Sequence, residues 1–156
     1  MSIDEDIALL ERIPALGLLG RPALRVLAIG AETRQIESGD VLFSAGDPAD
    51  AGYVVQDGSF ALSPDSVTGA AEEVTVRRGV LLGEFALMAE TTRPATATAL
   101  EPSSVIRISR TLFLKMLDGY PDSARKLRDS LLARAGESAR DVERLRAAFK
   151  KAMGDS

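Results

Sequence analysis

The sequence contains no cysteine, no histidine and no tryptophan. Without cysteine there is no disulfide, no thiolate nucleophile and no cysteine-held iron–sulfur cluster. Without histidine there is no Ser–His–Asp or Cys–His relay and no histidine-ligated haem. Any metal site would have to be built from oxygen ligands. The absence of cysteine also fits a reducing compartment. Long apolar runs are missing too: nothing approaches the ~18 residues of a membrane span. The opening residues carry Asp4, Glu5 and Asp6, where a secretory signal needs a positive flank and a longer apolar core. A surplus of positive charge is likewise absent. The net charge of −4 opposes nonspecific attraction to nucleic acid or anionic membrane, both of which need a basic field. These absences describe a soluble, cytoplasmic chain that binds neither.

What is present is globular. The chain has 156 residues, 46% hydrophobic and 27% charged, the values of a single domain with an appendage. Three stretches differ in texture. Near the start, Ile3, Ile7, Leu10 and Ile13 recur at helical spacing. Pro14, Gly17, Gly20 and Pro22 interrupt the run, and Leu24, Val26, Leu27 and Ala28 predict another short helix ending near Gly30. From 34 to 110, short apolar runs alternate with turn signals such as Ser38-Gly39-Asp40, Gly46-Asp47-Pro48, Asp57-Gly58 and Glu101-Pro102. The runs Tyr53–Val55, Phe60–Leu62, Val74–Val76, Thr96–Leu100 and Val105–Ile108 read as strands of a sandwich, roll or barrel. Leu81–Ala89 reads instead as a short helix inside this β region. From 111 onward the pattern is helical again. Thr111 is the candidate N-cap of a helix through Leu117, Gly119 its stop, and Pro121 the opening of a longer helix. That helix would carry the stripe Leu127, Leu131, Ala135, Ser138, Val142, Leu145, Phe149 and Ala152. Such a narrow stripe suits equally a helix packed on its own roll and a seam between two copies.

The segment that carries chemistry is Gly83–Ala97. Gly83 permits close backbone approach, and a helix starting after it would offer unpaired N–H groups to an anion. Arg93 lies nine residues after Glu84 and brings a fork-shaped cation suited to phosphate. Glu84 would repel a phosphate unless it accepts from a neighbouring hydroxyl, as a sugar provides. An anion beside a hydroxyl means a nucleotide or a sugar phosphate.

Gly83-Glu84-Phe85-Ala86-Leu87 followed by Arg93-Pro94-Ala95-Thr96 resembles the phosphate-binding cassette of the cyclic nucleotide-binding domain family, which includes the catabolite activator protein and the regulatory subunits of protein kinase A. Gly39-Asp40-Val41-Leu42-Phe43, Gly46–Asp50, Tyr53–Val55 and Gly58 resemble the early strands and turns of the same domain. The resemblance covers roughly residues 10–130. It implies a mainly β fold, an eight-stranded β-roll with helices before and after it. The roll with its N-terminal helices would occupy 1–120, and 121–156 would form a C-terminal lid or dimerisation helix. The ligand-binding residues implied are Gly83, Glu84, Phe85, Ala86, Arg93, Pro94 and Ala95. Glu84 would hold the ribose 2′-hydroxyl, Arg93 the cyclic phosphate, and the N–H groups of Phe85 and Ala86 the phosphate or its vicinity. The helix after Pro121 would lie over the purine. Pro94 departs from the pattern: the family usually has Ala, Ser or Thr there, and proline has no N–H. If that N–H normally meets the phosphate, its loss costs on the order of 1.5–3 kcal/mol. Lack of a threonine at this position tilts the ligand towards cyclic AMP over cyclic GMP.

The function implied is a stand-alone cyclic AMP sensor, a binding module and not an enzyme, with no cofactor or metal. It would relay ligand state to an unidentified protein partner through its C-terminal helix, as a monomer or as a homodimer. One alternative is a fragment of a cyclic AMP-responsive DNA-binding regulator. The 36 residues after Tyr120 are largely used by the long helix and leave no room for a reader helix. Another is an interaction domain without ligand, in which Glu84 and Arg93 form an ion pair or are simply solvated.

Overall fold

The computed structural model describes residues 2–64, 73–134 and 146–147. Ser2 starts the first helix, α1 (Ile3–Glu11), by accepting the Glu5 N–H at 3.2 Å, and Asp4, Glu5 and Asp6 sit at its positive end. Ile7, Leu9 and Leu10 are buried, while Ile3 stays exposed. Pro14 and Pro22 interrupt the helical run, yet each also sits at the opening of a helix: α2 (Pro14–Gly17) and α3 (Arg21–Gly30). On α3, Leu24, Leu27 and Ala28 face the core.

The β region contains ten strands among the described residues: β1 (Glu32–Ile36), β2 (Val41–Phe43), β3 (Pro48–Ala49), β4 (Ala51–Asp57), β5 (Ser59–Pro64), β6 (Val74–Arg77), β7 (Leu81–Leu82), β8 (Thr91–Thr92), β9 (Ala95–Ala99) and β10 (Ser103–Ser109). Eight of them build two four-stranded antiparallel sheets, ordered β1-β10-β4-β7 and β2-β9-β5-β6, and β3 and β8 form a separate ribbon. This is the mainly β roll with flanking helices. Gly39, Gly46 and Gly58 make its turns with positive φ. At Gly58 (φ 86°) a Cβ would also collide with Ser103 Oγ, the atom that accepts the Ser59 N–H.

Two clusters of buried side chains explain the run patterns. Tyr53, Val55, Phe60, Leu82, Ala97 and Val105 fill the space between the sheets. Val54, Ile106 and Ile108, on the opposite faces of β4 and β10, pack against the helices. These two strands are therefore buried on both sides and read as continuous apolar runs. A polar chain also ties the helices to the roll: Gln56 Nε2 donates to Asp6 Oδ1 at 3.0 Å, and Ser104 Oγ donates to Gln56 Oε1 at 2.9 Å.

Two expectations need correction. Leu81–Ala89 is not a helix. Leu81 and Leu82 pair with Val54 and Tyr53 as β7, and only Phe85–Leu87 forms a 3-10 turn. The cap of α4 (Arg110–Gly119) is Ser109, not Thr111. Ser109 ends β10 in an extended conformation, and its Oγ accepts the Leu112 N–H at 3.1 Å, so the helix springs directly from the strand.

Pro121 opens α5 (Pro121–Arg134) as expected. This helix joins the helical layer: Ser123 Oγ donates to the Leu19 carbonyl at 2.6 Å, and Ala124, Leu127 and Leu131 are buried in the same cluster as α1 and α3. The stripe beyond Leu131 lies outside the described residues, as does most of the stretch expected to form a lid.

Candidate functional site

The site forms where β7 ends. Gly83 (φ 88°) turns the chain out of the sheet, and a Cβ there would lie 2.5 Å from Arg93 Nη1 and 3.2 Å from the Ala51 carbonyl oxygen. Both the positive φ and the close approach demand glycine. Glu84 follows, half-buried, and its carbonyl accepts the Leu87 N–H at 3.2 Å to close the 3-10 turn. Leu87 and Met88 sink into the helical core and anchor the turn. One turn of three residues carries little macrodipole. An anion at this turn would therefore gain little from the helix end.

The backbone of Arg93 is fixed from both sides. Its N–H donates to the Asp47 carbonyl at 2.9 Å, and its own carbonyl accepts the Gly46 N–H at 2.8 Å. Its side chain is only 5% exposed. Nη2 donates to the Ala51 carbonyl at 2.7 Å, and the guanidinium carbon lies 4.4 Å from the Phe43 ring centroid and 5.3 Å from that of Tyr53. Nη1 has no partner; among the described residues it is the one buried side-chain nitrogen or oxygen so placed. Desolvation holds the guanidinium below its ordinary pKa. A buried, charged donor without an acceptor costs on the order of 1–3 kcal/mol or more. An anionic partner would offset that cost.

Arg93 lines a cavity of about 390 Å³, within the range of small-molecule sites. All seven residues singled out in the sequence line this one cavity: Gly83, Glu84, Phe85, Ala86, Arg93, Pro94 and Ala95. Phe43, Ala49, Leu62, Leu81 and Leu82 make the rest of the wall mainly apolar, and Thr91 and Thr92 add hydroxyls. Among the described residues, α5 contributes none of the lining. The cavity thus offers a cation and a carboxylate along the cassette side and hydrocarbon elsewhere. That arrangement suits a ligand with an anionic group, a hydroxyl and a flat apolar body. Among the described residues, no group of three or more carboxylates is placed to hold a metal ion.

Sequence reasoning missed Arg110. From the first turn of α4, its Nη1 donates to the carbonyls of Ala49 at 3.1 Å and Ala89 at 2.9 Å, with Ala86 at 3.4 Å, while its backbone N–H donates to the Asp50 carbonyl at 2.8 Å. Ala49 and Ala86 line the cavity, so Arg110 braces that wall from behind. The only sequence signal was a polar residue at the junction of strand and helix.

Fold and site together define a β-roll module with a cavity lined by a buried cation and a carboxylate. The profile of the cyclic nucleotide-binding domain matches residues 33–120, and the chain belongs to that family. It is similar to a solved cyclic nucleotide-binding-like protein from Brucella abortus, at 36% identity and a TM-score of 0.64 over 74% of this chain and 99% of that one. It is also similar to the N-terminal domain of a transcriptional regulator from Streptomyces coelicolor A3(2), at 28% identity and a TM-score of 0.74 over 83% of this chain and 91% of that one. Of curated proteins, it resembles a lysophospholipase from Neurospora crassa, 29% identical over 71% of this chain and 7% of that protein. The chain spans only 7% to 19% of the length of such curated relatives.

Proposed function

We propose that this chain is a sensor module that binds a cyclic nucleotide, cyclic AMP in first place, and passes its ligand state to a protein partner. The observation that carries this reading is Arg93, a buried cation with Nη1 unpartnered, lining the same cavity as Glu84. In this reading Arg93 meets the cyclic phosphate and Glu84 accepts from the ribose 2′-hydroxyl. The apolar wall of Phe43, Leu62 and Leu81 accommodates the base. Pro94 supplies no N–H, so the phosphate depends on Arg93 more heavily than a site with a further donor would. The module binds and does not catalyse; the activity of its lysophospholipase relatives belongs to those proteins. Its output leaves through α4 and α5, towards a partner protein or a second copy.

The test is calorimetric titration of the purified chain with cyclic AMP, cyclic GMP and 2′-deoxy cyclic AMP. Cyclic AMP is expected to bind most tightly, and loss of the 2′-hydroxyl is expected to weaken it by roughly ten-fold or more, since a hydrogen bond to a charged group contributes about 1.5–3 kcal/mol. No binding of either natural cyclic nucleotide would overturn the proposal. Equal binding of the deoxy analogue would remove Glu84 from the ribose.

A further inference from the structure

We infer that Phe43 and Tyr53 are positioning residues for Arg93, an aromatic pair that holds the guanidinium in its anion-receiving orientation before any ligand arrives. The inference rests on the site reading above, and its geometry is that of Arg93 and the two rings alone. Arginine is long and rotamer-rich, and a buried guanidinium normally finds a carboxylate to fix it. Here its partners among the described residues are one carbonyl and two ring faces. The rings come from opposite sheets, Phe43 from β2 and Tyr53 from β4, with centroids 5.9 Å apart and planes tilted by 32°. Arg93 therefore sits where the two sheets meet. Both rings lie within the ~6 Å over which a π face attracts a cation, and the attraction grows when water is excluded, as it is around a side chain 5% exposed.

The rest of the guanidinium is constrained as well. Nη2 is committed to Ala51, and Gly83 closes on Nη1 so tightly that a Cβ would stand 2.5 Å away. A carboxylate in place of the rings would fix the cation equally well, but it would neutralise the charge an anionic ligand needs. Aromatic faces hold the cation without adding a competing negative charge. Phe43 thus has two surfaces in use, one towards the guanidinium and one in the cavity wall, and its half-buried position is explained by serving both.

Two measurements test this on the full chain. In calorimetric titration with cyclic AMP, Phe43→Leu is expected to weaken binding roughly two- to thirty-fold, and Phe43→Tyr, which keeps a ring, to stay within about two-fold of the parent. In a ligand-free denaturation cycle, Phe43→Leu should destabilise the chain more with Arg93 in place than in the Arg93→Leu background. Equal losses of affinity for Leu and Tyr, or the same cost in both backgrounds, would overturn the inference. Because the cycle needs no ligand, failure of the parent chain to bind cyclic AMP would count against the site reading alone.

Discussion

Arg93 is the residue at which stability and binding part company. The fold holds this cation in a nearly water-free position, with desolvation lowering its pKa and with one nitrogen unpartnered. A residue retained to stabilise the roll would not be left so, because a buried charge without an ionic partner carries a desolvation cost that hydrocarbon of similar size does not. Arg93→Leu is therefore expected to cost the ligand-free chain no more than about 1 kcal/mol in chemical denaturation, or to stabilise it. The same variant should weaken cyclic AMP by roughly thirty-fold to several thousand-fold, because it removes a desolvated charge-assisted pair worth about 2–5 kcal/mol. A large loss of stability with affinity retained would make Arg93 a structural residue and empty the site of its anion partner. Gly83 belongs to the same small set: the tightness that excludes a Cβ there is the tightness that holds Nη1 in place.

At the scale of elements, the cassette is a strand end, a single 3-10 turn and a two-residue strand, too little structure to hold its own shape. Arg110 supplies what the cassette lacks. Its guanidinium gathers the carbonyl oxygens of Ala49, Ala86 and Ala89 at the back of the cavity wall, and its backbone N–H pins Asp50. Arg110→Ala leaves these partly buried carbonyls without their shared donor. It is expected to lower stability by about 1–3 kcal/mol and to speed amide exchange around residues 84–92 in the ligand-free chain. Arg110→Lys should recover part of the protection. If exchange in that segment is untouched by Arg110→Ala, the brace is not Arg110.

Much at this scale was legible in advance. The strands at 53–55, 60–62, 74–76, 96–100 and 105–108 showed themselves by apolar runs and glycine turns, since period and turn chemistry are local properties. The seven cassette residues were named from the family resemblance, and the fold brings them to one cavity. The misread parts were settled by distant partners. Leu81 and Leu82 have a helix-compatible sequence but pair with β4. Ser109 captures the cap from Thr111 because β10 delivers it in an extended conformation. The partners of Arg110 lie 21 to 61 residues away in sequence, where no local pattern reaches.

Across the whole molecule, the helices form one layer, and α5 belongs to it. Ala124, Leu127 and Leu131 share a cluster with α1 and α3, and Ser123 Oγ holds the Leu19 carbonyl at 2.6 Å. Leu87 and Met88, which anchor the cassette turn, and Phe113 and Met116 of α4 lie in that same cluster. A shift of the turn, were ligand binding to cause one, would be felt where α5 is seated, through side chains packed at solid density. For α5 to transmit the ligand state, its contacts must differ between the two states, because a ligand can move an equilibrium only by binding one side of it better. If the seat described here is released when ligand binds, weakening it should favour the bound arrangement. Ser123→Ala removes one side chain-to-backbone hydrogen bond worth about 0.5–1.5 kcal/mol and leaves the cavity wall untouched. If that bond breaks when the ligand binds, cyclic AMP should bind the variant more tightly, by roughly two- to ten-fold, since the cost of releasing α5 has been lowered. Amide exchange on adding cyclic AMP should also change in both 83–96 and 121–134. Unchanged affinity in Ser123→Ala, with exchange altered only in 83–96, would mean that α5 stays seated in both states and that the signal leaves from another surface of the roll.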